Sequence, residues 1–245
     1  ASLNDPFGDI VGRAYERNEN GDRIIGSDGL PLVGEEDQVL GNFNPDWTAG
    51  LSNNVRYRNF GVSTLIDLSI GGEVYSLTNA FMAARGNSQI TLEGREEWYA
   101  YQAELESGNP DAEPRGFVAD GVVQVGEDDQ GNPIWEQNDK AIDPQTYWEN
   151  VGGLSPVTEE FVYDATYVRF RELAVSYFMP PRLTERLPIM GLEVSVIARN
   201  LFYIHKNTPG FSPAQGSFNI GNAQGIEAFG FPETRSIGFN VSVRI

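Results

Sequence analysis

The strongest constraint on this chain is the alternation of its last twelve residues, Thr234 to Ile245. Ile237, Phe239, Val241, Val243 and Ile245 hold one parity. Ser236, Gly238, Asn240, Ser242 and Arg244 hold the other. Successive side chains of a strand point to opposite faces, so this segment predicts a ribbon with one apolar and one polar face. A strand of that kind, with an aromatic in its apolar row, suits the wall of an outer-membrane barrel.

The same alternation recurs upstream. Trp47, Ala49, Leu51, Val55 and Tyr57 share one parity, with only Asn53 polar among them. Phe60, Val62, Thr64, Ile66, Leu68 and Ile70 then form a second row, opposite Gly61, Ser63, Asp67, Ser69 and Gly71. A short turn at Arg58-Asn59 separates them, which predicts a long antiparallel hairpin over 46–76. Residues 161–206 predict a further strand pair broken at Pro180-Pro181. The apolar parity slips near Arg171-Glu172, which predicts a bulge or a passage into a wet region. Asn20-Gly21 predicts an extended hairpin over 10–33.

Composition narrows the function. The chain has no cysteine and one histidine, His205. A thiol nucleophile and a cysteine metal site are therefore excluded, and a single histidine argues strongly against a histidine-based zinc site or a Ser–His pair. The net charge of −18, with Lys140 and Lys206 the only lysines, argues against nucleic acid as a partner. Residues 77–160 hold 17 acidic against four basic side chains, which predicts a solvated region rather than a core, with a short helix over 92–106. Glu127-Asp128-Asp129 and Asp120 lack the spacing of a calcium loop, and no two carboxylates are paired as a glycosidase requires. No metal, cofactor or catalytic residue is expected. No apolar run reaches the roughly 18 residues of a membrane helix, a limit that leaves a barrel open.

Two architectures alternate in this way, a soluble sandwich and a membrane barrel. The alternating runs here are a dozen residues or longer. Soluble strands cluster near about 5–6 residues, whereas tilted membrane strands need about 9–11. Connections also alternate, short at 58–59 and 180–191, long at 77–160 and 207–232, as in barrels with tight periplasmic turns and long outer loops.

Several motifs carry a family resemblance. Gly41-Asn42-Phe43-Asn44-Pro45-Asp46-Trp47 with Tyr57-Arg58-Asn59-Phe60, then Gly71-Gly72-Glu73-Val74-Tyr75-Ser76, come first in order. The run from Phe161 to Glu172, the stretch Ala198-Arg199-Asn200-Leu201-Phe202, and the ending Pro232 to Asn240 follow. Together they resemble the C-terminal barrel portion of the SusC/RagA family of TonB-linked outer-membrane transporters. The chain departs from the family pattern at 210–214, where an acidic triplet is often found, and in ending on Ile245 rather than phenylalanine.

The resemblance implies an all-β fold: an antiparallel transmembrane β-barrel segment, part of a barrel of about 22 strands, with long extracellular loops at 77–160 and 207–232 and a terminal strand over 233–245. The start at Ala1 without methionine is read as the mark of a piece of a longer protein. The implied activity is import of glycan fragments or peptides in the outer membrane of a Gram-negative bacterium, of the Bacteroidota by resemblance. The implied partners are a SusD-like lipoprotein, TonB through a part outside this chain, the remaining strands and plug, and membrane lipid. By parity Arg56, Asp67, Arg199, Asn240 and Arg244 are expected to face the lumen. Trp98, Tyr99, Trp135, Tyr147 and Trp148 are candidates for ligand or lid contact, weighed against simple packing. Phe239, Val241, Val243 and Ile245 are the expected insertion signal. The alternative is a soluble β-rich carbohydrate-binding module, which detergent dependence would separate from the transporter.

Overall fold

The computed structural model of the chain describes residues 6–185, 188–214 and 223–245. It divides into two units, one of residues 1–41, 75–162 and 226–229, the other of 42–74, 163–225 and 230–245.

The second unit is built on five long strands, β1 (Trp47–Tyr57), β2 (Phe60–Ile70), β3 (Tyr167–Phe178), β4 (Gly191–Lys206) and β5 (Ser236–Arg244). They lie side by side in chain order, each antiparallel to the next. Residue parity and register agree throughout. Val55, Val62, Val175, Val196 and Phe239 form one continuous row across all five strands. The adjacent apolar row is Tyr57, Phe60, Tyr177, Val194 and Val241, with the Phe60 and Tyr177 rings 5.0 Å apart. Among the described residues no protein layer covers this face: Phe239 is 80% exposed, Ile237 70% and Val55 64%.

The slip in parity at Arg171 resolves as a bulge, for the β2–β3 register shifts between Phe170 and Glu172. Phe170 opposes Ile66 and Leu173 opposes Thr64, so both remain on the apolar face despite their odd spacing. The extra residue, Arg171, absorbs the mismatch. Strand β4 answers with Asn200 at φ 54°, and the Phe170 and Phe202 rings then stack at 5.4 Å.

The β1–β2 turn is two residues, with Arg58 at φ 53°. Asn59 ties it to the third strand: its side-chain amide donates to the Phe178 carbonyl at 2.7 Å and its carbonyl accepts from Phe178 N at 2.8 Å. Short links, 58–59 and 179–190, leave one end of the sheet. The long segments 71–166 and 207–235 leave the other.

The first unit holds the apolar core. Among the described residues every buried apolar side chain except Val74 belongs to it, with Phe161, Val151 and Val157 the largest fully buried. The acidity of 77–160 predicts a solvated loop; the structure instead folds the segment around helices α1 (Leu77–Ala84), α2 (Arg95–Glu106) and α3 (Pro144–Val151) and a hairpin pairing Val122–Glu127 with Pro133–Gln137. The acids occupy outer faces and caps while few residues supply the core. Ser76 caps α1 by accepting from Asn79 N, and Asp143 caps α3 ahead of Pro144. Gly152 lets α3 end against α1, since a Cβ there would lie 2.5 Å from the Ala80 carbonyl oxygen.

Residues 10–33 form two tight turns rather than one extended hairpin. Ile24 N donates to Glu16 O, Leu32 N to Ile24 O and Glu16 N to Leu32 O, each at 2.8–2.9 Å, so three short segments close a ring. Tyr15, 3% exposed, donates to Glu160 at 2.9 Å, and Arg23 pairs with the same carboxylate at 3.3 Å.

Burial, reinforced by Glu160 and Tyr147, pushes the Tyr15 hydroxyl well above the ordinary tyrosine range. Tyr147 is raised in the same way. The unfolded chain then releases these protons at lower pH than the fold does, so this contribution is complete below about pH 10 and is lost as pH climbs above it. Hydrogen-exchange protection of 77–160 should fall with rising alkaline pH, and Tyr15→Phe should flatten that slope, leaving the part due to Tyr147.

Candidate functional site

The polar face of the long sheet carries the densest ionic chemistry in the described residues. Asp67 of β2, Arg169 of β3 and Tyr203 of β4 are direct neighbours across three strands. Arg169 donates to Asp67 at 3.1 Å and to Glu233 at 2.8 Å. Arg171, displaced by the bulge, reaches Asp67 as well, at 3.0 Å. The Tyr203 hydroxyl donates to the other Glu233 oxygen at 2.9 Å and also meets Ser212. The Asp67, Arg169 and Glu233 side chains are only 12–17% exposed, so their charges are matched in a partly dry setting. The Arg169 Nε is buried with no partner.

One row further along, Arg199 donates to Glu172 at 2.7 Å, its side chain 59% exposed. Beyond it, Arg56, Gly61, Ser176, Ser195 and Asn240 form a row across all five strands. The Arg56 guanidinium lies 3.9 Å from the Phe178 ring centre. Gly61 clears the way, since a Cβ there would sit 3.1 Å from that ring. Arg244 stands opposite Gly191 at the sheet end.

The five residues picked by parity, Arg56, Asp67, Arg199, Asn240 and Arg244, thus share one face, but only Asp67 joins the buried network. Arg169, Arg171, Tyr203 and Glu233 complete it and were not singled out by sequence. The slip in phase hides the first two, and Glu233 lies outside any alternating run.

The aromatic candidates separate. Tyr147 and Trp148 are 4% and 5% exposed and pack with Phe117 in the core of the first unit, ring centres 4.4 Å and 5.9 Å away. With Pro144 and Val151 they make the buried stripe of α3, in line with the packing alternative. Tyr99 is exposed, and Trp98 and Trp135 are half-buried. Trp98 and Tyr99 do border a pocket of about 370 Å³, which Trp148 also lines. Phe239, Val241, Val243 and Ile245 are all exposed.

The acidic turn at 127–129 binds itself. Asp128 accepts from the Asn132 side chain at 2.9 Å and from the amides of Asn132 and Gln130, contacts that hold its carboxyl below the usual range. Among the described residues no cluster of three or more His, Cys, Asp or Glu is placed to hold a metal. No described helix is long and apolar enough to cross a membrane, which says nothing of a barrel.

The long sheet thus has a polar face with a matched ionic network and an apolar face left exposed. No family model matches the chain. Over 235 residues, 94% of this chain, it is 20% identical to TonB-dependent receptor P3 of Formosa agariphila, of which that stretch is 19%. In fold it is similar to the RagAB peptide importer in its closed-closed state, with a TM-score of 0.53 at 13% identity, covering 96% of this chain and 23% of that one. The open-open state gives 0.51 at 15% identity, covering 97% and 22%. The chain spans about a fifth of the length of the relatives it matches. At such identities the structural likeness establishes the fold, and with the sequence match it bears out the resemblance to a portion of a SusC/RagA-like TonB-dependent transporter.

Removing Asp67 strands Arg171 and half of Arg169. Asp67→Ala should cost about 3 kcal/mol, the usual loss when one partner of a buried pair is deleted. Arg199→Ala, at an exposed pair, should cost less than about 1 kcal/mol. Thermal unfolding of the intact protein in detergent, followed by circular dichroism, reads both.

Proposed function

We propose that the five-stranded sheet is part of the wall of an outer-membrane barrel of about 22 strands that imports solute with energy delivered through TonB. The single observation that carries this reading is the pair of rows Val55–Phe239 and Tyr57–Val241, apolar across five strands and covered by no protein layer. Large exposed apolar patches mark interaction surfaces, and the partner with this reach and uniformity is lipid. The row Arg56–Asn240 and the Asp67–Arg169–Glu233 network then face an aqueous lumen. Lumen-facing side chains tune selectivity, and those of the network hold their charges by mutual pairing, so they form a fixed wall rather than a reacting centre.

In this reading the 58–59 and 179–190 links are periplasmic, and 71–166 and 207–235 are extracellular. The terminal strand with Phe239, Val241, Val243 and Ile245 serves barrel insertion. A SusD-like surface lipoprotein is the proposed cap; what supports it is the similarity in fold to a RagAB importer. Peptides or glycan fragments are the proposed cargo, taken up without covalent change.

Lipid facing is tested by charge. Val241→Arg should lose outer-membrane insertion, since an arginine on the lipid face near the bilayer midplane costs about 2–4 kcal/mol. Asn240→Arg, on the opposite face, should insert normally. Fractionation of outer membranes with immunodetection reads the outcome; equal insertion of the two variants would overturn the wall assignment.

A further inference from the structure

The three helices of the first unit surround a pocket whose chemistry the transport reading does not use. Its volume, about 370 Å³, is within the range of small-molecule sites. Two aromatic side chains of α2, Trp98 and Tyr99, line it, with Trp148 of α3. Their rings offer flat apolar surface to a ring-sized body.

The charged lining residues are mostly committed to one another. Arg95 donates to Thr91 Oγ1 at 2.8 Å and to the Gly86 carbonyl at 3.3 Å. Asp143 is the cap of α3, accepting from Gln145 N at 2.9 Å. Glu149 accepts from the Gln145 side chain at 2.8 Å. Two donors are left over. Arg85, just past the end of α1, is exposed and its guanidinium has no partner among the described residues. The Trp148 indole N–H is buried and has no acceptor, and buried polar groups are nearly always paired. Of the four charged side chains that line the pocket, Arg85 alone has no hydrogen bond or ion pair to its side chain among the described residues.

We propose that this pocket binds a small carboxylate carried on a ring. The Arg85 fork takes the carboxylate in two parallel charge-assisted hydrogen bonds, a geometry for which guanidinium is suited. The ring lies against Tyr99 and Trp98. A neutral ring would satisfy the aromatic walls but leave Arg85 without a counter-charge. None of the residues that line it belongs to the long sheet.

The test is isothermal titration calorimetry on the intact protein in detergent, with glucuronate, benzoate and glucose as probes. Saturable binding of at least one acid is expected, weakened roughly tenfold or more by Arg85→Ala, a loss typical of one strong contact. Tyr99→Ala should weaken it as well. Both side chains are exposed, so neither change removes core packing, and Arg85→Lys should retain part of the affinity. Binding of glucuronate alone assigns the carboxylate to a sugar acid, and binding of benzoate alone to an aromatic acid; either supports the proposal. It is overturned if neither acid binds saturably, if glucose binds as tightly as glucuronate, or if Arg85→Ala binds unchanged.

Discussion

The long sheet depends on one constraint: every peptide group in a strand must be bonded laterally, which leaves the two faces to be chosen by side chains alone. In this chain the choice is made consistently over five strands. Each strand sends one parity to the apolar face, and the registers align those parities into unbroken rows. The bulge at Arg171 is the place where the rule is kept by breaking the pairing. Without it, Val168 and Phe170 would stand on the polar face and Arg169 on the apolar one. With it, Arg169 lies beside Asp67, and the ionic network and the apolar rows coexist in one ribbon.

The same constraint makes the sheet incomplete. Among the described residues β1 and β5 each have a single neighbour, and both are exposed along their whole length. Open edges are a route to aggregation in water and are not tolerated in hydrocarbon. The proposed barrel would supply further strands on both sides, which agrees with a segment that matches about a fifth of its relatives. The first unit is stabilised differently, by ordinary burial around Phe161 and Val151 and by short helices held with side-chain caps.

What the sequence disclosed follows from the range of the interactions. Period-two alternation is local, so the strands, their faces and the slip at Arg171-Glu172 were all legible. The ionic network was not, because it joins residues 102 and 64 positions apart, and Glu233 sits in an irregular segment. The first unit was misread for another reason. Its helix α3 buries Pro144, Tyr147, Trp148 and Val151, spaced as one helical face and preceded by an Asp-Pro start. That pattern is present in the sequence but lies within a strongly acidic block, whose net charge masks the periodicity. Acids at caps and outer faces are compatible with a core that needs few residues. Trp98 and Tyr99 kept their character as exposed or half-buried rings, whereas Tyr147 and Trp148 were drawn inward by the helix that carries them.

The central claim is that the apolar parity of β5 meets lipid while the other parity meets water. Residues 1–245 contribute no cysteine of their own, so single spin labels can be placed at each position from 236 to 244 in the intact protein reconstituted into bilayers. The account predicts a period of two, with residues 237, 239, 241 and 243 accessible to oxygen dissolved in the membrane and residues 238, 240 and 242 accessible to a water-soluble nickel complex. Labels at 239 and 241 that are immobile and reached by neither reagent would place them in a dry protein interior and contradict it.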